Sequence, residues 1–205
     1  MNTRLVTALR VAVHLGALTP LAVLVWQFFS GNLTANPIAQ VQLKTGDIAI
    51  NLLFLSLACT PIYLLSGFRP VLSFSRPLGL YAFMYICLHL VNFIAIDYGF
   101  NFTFIREDAL LNKRYILAGL IAFILLLPLA LFSIGRLRKR LGKAVSSLRW
   151  LTYLAAIFVV IHFVWQTKVN FRSPFIYGGL LAFLLVFRIP FISKKLTERF
   201  EHPAT

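Results

Sequence analysis

The sequence predicts an all-α membrane protein, a bundle of six transmembrane helices with both termini cytoplasmic. Three observations carry that prediction. Of the 205 residues, 60% are hydrophobic and 13% are charged, and the mean hydropathy is +0.83, which is too apolar for a soluble domain of this size. The apolar residues gather into six runs near the ~20 residues that a spanning helix needs. The basic residues alternate between loops in the manner of the positive-inside rule.

The first run, Val11 to Phe29, is followed by Ser30-Gly31-Asn32 without an A-x-A pattern, so it is expected to stay as a helix rather than be cleaved as a signal peptide. The second, Ile48 to Leu65, stops before Ser66-Gly67, and the third, Leu78 to Ile96, starts behind Arg76-Pro77. Lys113-Arg114 precede the fourth, Tyr115 to Ile134; Arg149 precedes the fifth, Leu151 to Thr167; and Arg172-Ser173-Pro174 precede the sixth, Phe175 to Ile192. Together these runs consume most of the chain, so residues 1–205 are expected to form a single transmembrane domain.

Arg4, Arg10, Arg69, Arg76, the segment Arg136 to Arg149 and the tail from Arg188 hold fourteen of the twenty Lys and Arg residues. The other six are Lys44, Arg106, Lys113, Arg114, Lys168 and Arg172. That bias places both termini in the cytoplasm. The net charge of +14 therefore reports topology; spread over loops, it does not make a nucleic-acid-binding face. The densest stretch, Arg136-Leu137-Arg138-Lys139-Arg140 with Lys143, suits anionic lipid headgroups or a flavin phosphate. Two polar loops, Asn32 to Thr45 and Asn101 to Asn112, are expected on the outer side, where they could dock a soluble partner.

His89 and His162 lie deep in the third and fifth runs, each 13 residues after an arginine, Arg76 and Arg149. With cytoplasmic termini these two helices run in the same direction. Thirteen residues at about 1.5 Å each is about 20 Å, which sets both imidazoles at one depth in the outer half of the membrane. Polar ligand groups in hydrocarbon are costly and read as functional. Two at one level suggest axial ligation of a haem iron, and bis-imidazole iron leaves no open position, which favours electron relay over oxygen chemistry. A metal or proton pathway is the alternative. Gly79 and Ala82 before His89, and Ala155 and Ala156 before His162, offer small side chains against which a flat macrocycle or another helix could lie.

His14 falls in the first turns of its helix, in the cytoplasmic half, as a packing contact or as a contact to quinone or a second cofactor. Arg76 and Arg149 are expected to snorkel to the inner interface, with a flavin phosphate or a quinone carbonyl as the alternative ligand. His202 belongs to a polar, solvated tail. Trp26, Trp165, Tyr98 and Tyr177 are expected as interfacial anchors. Cys59 and Cys87 fall within spans, and without a C-x-x-C-H motif covalent haem attachment is excluded. No G-x-G-x-x-G, P-loop or candidate triad is present.

Several stretches carry a resemblance: Leu9 to Leu15 around His14, Asn36-Pro37 with Thr45-Gly46, Thr60-Pro61, Arg76 to Phe83, Leu88-His89-Leu90, Arg114-Tyr115-Ile116, Leu141-Gly142-Lys143, and Tyr153 to His162. In order and spacing they resemble the ferric-reductase-like transmembrane proteins, and more closely the MsrQ family, haem-binding membrane subunits of periplasmic methionine sulfoxide reductase systems. The resemblance implies a bacterial inner-membrane protein that takes electrons from membrane quinol and passes them to a periplasmic molybdopterin-containing partner, MsrP. Catalysis on methionine sulfoxide would then belong to that partner chain. It also implies haem b, with His89 and His162 at the ligand positions, and FMN, for which no residue motif is assigned.

One departure matters. Members of the family commonly carry a Leu-His pair at the start of the fifth helix, where this chain reads Leu148-Arg149-Trp150. Arginine stays protonated and cannot bind iron, and Arg76 stands at the same level of the third helix. Larger ferric-reductase-like proteins stack two haems on two histidine pairs, so a single outer haem is expected here. Two other readings stay open: a quinol-linked ferric reductase or b-type cytochrome with another outer acceptor, and a cofactor-free carrier or assembly protein whose histidines stabilise packing.

Overall fold

The computed structural model describes residues 3–133, 149–167 and 172–201. The basic cluster Arg136 to Arg140 with Lys143 lies outside them, as does His202. Helix α1 spans Thr3–Phe29, α2 Pro37–Ser66, α3 Leu72–Val91, the single turn α4 Phe102–Phe104, α5 Arg114–Phe132, α6 Arg149–Gln166, α7 Arg172–Val186 and α8 Pro190–Glu201. A 3-10 turn, Arg69–Val71, leads into α3, and π-helical turns follow α3 (Asn92–Asp97) and α4 (Ile105–Leu111).

Four helical stretches are long and apolar enough to cross a membrane: Thr3–Phe29, Pro37–Ser66, Arg69–Asp97 and Arg114–Phe132. The pair Pro174–Val186 and Pro190–Glu198, bent by 63°, makes up to a fifth, and Trp150–Gln166 is a shorter apolar helix. Four of the six expected spans fall on the long helices, the fifth on the shorter one and the sixth across the bent pair. The sixth breaks early, because Pro190 cannot continue α7 and restarts the chain as the first residue of α8.

The two expected outer loops are corrected. Asn36 caps α2, its side chain accepting from the Ala39 N–H at 3.0 Å with Pro37 at the first helical position. Most of the stretch Asn32 to Thr45 is therefore helix, since a cap of this strength outweighs the polarity of the residues behind it. Asn101 caps α4 in the same way, accepting from Phe104 N–H at 3.0 Å, and the stretch behind it is helical through Leu111.

The most extensive packing joins α2 to α3 and α5 to α6. Between the pairs lies a core including Leu53, Phe54 and Leu57 of α2, Ala82 and Tyr85 of α3, and Ala155 and Ala156 of α6. Tyr85 is fully buried and donates its hydroxyl to the Ala17 carbonyl at 2.8 Å, tying α1 to α3. Gly79 meets Ser56 of α2, and Ala82, Ala155 and Ala156 are buried in the core. These small residues permit close helix approach rather than lining a cofactor slot.

Pro61 inside α2 has no N–H, which frees the carbonyl of Leu57 four residues earlier. Arg188, at the break between α7 and α8, donates to that carbonyl at 3.2 Å and lies over the Tyr153 ring at 5.0 Å. A guanidinium here closes a gap in the backbone hydrogen bonding that lipid cannot fill. Arg188→Leu is expected to cost about 1–3 kcal/mol, as for an acceptor left unsatisfied, measured as a lower thermal midpoint in detergent.

Candidate functional site

His89 stands near the end of α3, where the helix passes into its π turn. Its Nδ1 lies 2.9 Å from the Gln42 carbonyl oxygen and 3.4 Å from Thr45 Oγ1. A carbonyl only accepts, so Nδ1 carries the proton. The Gln42 side-chain Nε2 lies 3.0 Å from His89 Nε2, and an amide nitrogen only donates, so Nε2 presents its lone pair. Asn92, buried in the π turn, fixes the amide by donating to Gln42 Oε1 at 2.7 Å and to the Ile38 carbonyl at 3.2 Å. Both hydrogen bonds require the same orientation of the Gln42 amide.

His162 on α6 is anchored in the same way. Its Nδ1 donates to the Tyr115 carbonyl at 2.6 Å, at the start of α5, again leaving Nε2 as the acceptor nitrogen. Anchoring of Nδ1 on a carbonyl is the usual second contact of a metal-bound histidine, because it sets the tautomer and the ring orientation. The two imidazoles come together across the helix pairs, with centroids 6.2 Å apart and planes at 84°.

Two glycines make room for them. A Cβ on Gly46 of α2 would lie 3.2 Å from His89 Cε1, and a Cβ on Gly119 of α5 would lie 2.7 Å from His162 Nδ1 and 3.0 Å from its Cε1. These glycines, with Gln42, Asn92 and the Tyr115 carbonyl, complete the site and were not singled out by the histidine spacing. Their signal in the sequence is a lone glycine inside each apolar helix facing a ligand helix, a position where glycine is otherwise unfavourable.

Both histidines line a cavity of about 360 Å³ between the α2–α3 and α5–α6 pairs, a size ordinary for a small-molecule or cofactor site. Among the described residues no group of three or more His, Cys, Asp or Glu gathers to hold a bare metal ion. The arrangement instead supplies two neutral imidazole nitrogens in an apolar chamber. It can grip a metal centre that arrives with its remaining ligands already in place.

The other candidates lie elsewhere. His14 accepts or donates at Nδ1 with the Tyr81 hydroxyl at 2.8 Å, on the exposed α1–α3 seam. Tyr81 precedes His89 by eight residues, about 12 Å of helix rise. Arg76 is exposed on α3, outside the cavity lining. Arg149 opens α6, and its side chain is outside the description. Trp26 and Trp165 are exposed, as anchors would be. Of the two tyrosines, Tyr98 lines the cavity, and Tyr177 packs on Phe54 and Phe163 and donates to Asn51 Oδ1 at 2.8 Å. Their rings find protein partners, which the position at a span end does not reveal.

A family model described as the ferric reductase like transmembrane component matches residues 45–145, a stretch that includes Gly46, His89 and Gly119. Similarity to whole proteins reaches further. The chain is 39% identical over 200 residues to the protein-methionine-sulfoxide reductase heme-binding subunit MsrQ of Xanthomonas axonopodis pv. citri, covering 95% of this chain and 90% of that one. The chain belongs to the MsrQ family. The subunits of the same name from Xanthomonas oryzae pv. oryzae and Rhodospirillum rubrum are 38% identical over 193 residues and 37% over 192, covering 91% and 93% of this chain and 87% and 92% of theirs. Membership and the apolar helices together make the chain a multi-pass membrane protein.

Proposed function

We propose that this MsrQ-family chain is the haem-carrying electron-transfer subunit of a methionine sulfoxide reductase system. It takes electrons from membrane quinol and passes them to a periplasmic molybdopterin-containing reductase, MsrP. The observation that carries the reading is the meeting of His89 and His162 across one cavity at 6.2 Å. At that separation both imidazoles could ligate a single iron. The anchored Nδ1 atoms, the glycines against the rings and the apolar chamber suit a haem b better than an open metal site.

Bound there, haem supplies one-electron redox chemistry. The chain's own residues do the rest. The carbonyls of Gln42 and Tyr115 hold the Nδ1 protons, which keeps each Nε2 basic and aimed. The Gln42 amide donates to His89 Nε2 and is itself held by Asn92, so a metal bound at that nitrogen would have to replace this one hydrogen bond. With His89 and His162 both as ligands, the iron would keep no open position for oxygen, and the chemistry supplied would be electron relay.

The topology proposed is six spans in the bacterial inner membrane, with both termini cytoplasmic and the His pair in the outer half. Arg76 and Arg149 stand where an inner ligand pair would be needed, so one haem is proposed, with His14, Arg76 and Arg149 left to the quinol or flavin side. FMN enters from the family resemblance alone. The test is a visible spectrum with pyridine haemochrome quantitation on purified protein: one haem b per chain, six-coordinate and low-spin, reduced by a quinol and reoxidised by purified MsrP. A colourless folded preparation made with haem available would overturn the reading, and two haems per chain would overturn the single-site assignment.

A further inference from the structure

The cavity is polar at one end only. Along α2 its lining runs from Gln42 to Leu53, eleven residues or about 16 Å of rise. Toward the far end the lining includes Leu53, Ile86, Ala122 and Phe123, all apolar. The near end, where α2 and α5 begin and α3 and α6 finish, carries Gln42, Tyr98, Lys113 and Gln166. Lys113 is the single cation among the described residues of the lining. It is half-buried, donates from Nζ to the Tyr98 hydroxyl at 3.2 Å and lies 5.9 Å from the centre of that ring.

Resting on the haem reading above, we infer that Lys113, braced by Tyr98, is the anchor for the propionate edge of the macrocycle. Haem b is amphipathic, with two carboxylates on one edge and hydrocarbon around the rest. An apolar chamber with an ammonium at one mouth admits such a plate in one sense, because a carboxylate driven to the Leu53 end would be desolvated without a partner. Asp47 and Asp97 also border the cavity, and both are exposed. Neither can donate a hydrogen bond, whereas Lys113 and Tyr98 can. Tyr98 holds the ammonium on the cavity side, which limits the rotamer freedom lost when a carboxylate arrives. The propionate edge would therefore face the same end as the Asn36 and Asn101 caps.

The test uses purified haem-loaded protein and reads haem transfer to excess apomyoglobin, the midpoint potential and the propionate modes in resonance Raman. Lys113→Met is expected to lose haem about tenfold faster, as for removal of one charge-assisted hydrogen bond. Its potential should fall, since a cation beside the ring favours the reduced state, while the low-spin axial signature stays. Lys113→Arg should restore both rate and potential. Tyr98→Phe keeps the ammonium but removes this one hydrogen bond to it, and is expected to show a smaller acceleration; it carries the test if Lys113→Met does not fold. Wild-type loss rates, potentials and propionate modes in both variants would overturn the anchor while leaving the haem reading intact. A wild-type protein that takes up no haem would overturn the haem reading itself, and the anchor with it.

Discussion

His162→Ala is expected to purify folded but with its haem content reduced about tenfold or more, and without the six-coordinate low-spin spectrum. The reasoning starts from the geometry. Residues that merely orient a metal-bound histidine are worth 10–100-fold in affinity, and the ligand itself is worth more. His162 supplies one of the two nitrogens facing the cavity, and among the described lining residues the only other imidazole is His89. His89→Ala should therefore give the same loss. It also removes the partner of the Gln42 amide and one bond between α3 and α2, so its thermal midpoint should fall further. His14→Ala supplies the contrast, because His14 bonds Tyr81 on the α1–α3 seam and is outside the cavity. A full haem complement and an unchanged spectrum are expected there. Wild-type haem in both cavity variants would show the ligand assignment to be wrong, and loss confined to His14→Ala would move the site to the seam.

The spacing of 13 residues after Arg76 and Arg149 predicts that His89 and His162 share a level, because a helix rises by a fixed amount per residue, and the two rings do meet at 6.2 Å. It was silent about the helices opposite. Gly46, Gly119 and the Gln42 and Tyr115 carbonyls act on the histidines from α2 and α5, and helix pairing is a tertiary fact that periodicity within one segment does not contain. The small residues on the ligand helices were ambiguous for the same reason: Gly79 turned out to face Ser56, and Ala155 and Ala156 the core. Capping chemistry was legible in Asn36-Pro37 and Asn101, yet the polarity of the residues behind each cap masked it. Arg188 reads as one more inner cation in the sequence, while its partner, the carbonyl freed by Pro61, is seen only when α2 and the α7–α8 break are brought together.

Gly119→Val is expected to separate the site from the fold by costing haem binding far more than stability. A Cβ at this position would stand 2.7 Å from His162 Nδ1, closer than real contacts allow, so the imidazole has to leave. It cannot leave without breaking its bond to the Tyr115 carbonyl at 2.6 Å, and with that bond go the tautomer and the aim of Nε2. Haem affinity should fall about 10–100-fold, the range for loss of a second contact behind a metal ligand. The apoprotein should lose about 1 kcal/mol or less, since the broken hydrogen bond is partly offset by replacing a glycine in a helix interior. Gly119→Ala should show the same divergence at smaller amplitude in haem binding. At Gly46 the corresponding contacts are 3.2 and 3.3 Å, distances that a shift of a few tenths of an ångström relieves, so Gly46→Ala is expected to weaken haem only severalfold. Haem titration of each variant alongside its thermal midpoint as apoprotein measures both quantities. Equal losses in the two would make Gly119 a packing residue, whereas a stable apoprotein that no longer retains haem would place it behind His162 as the residue whose missing side chain lets the ligand stand where it does.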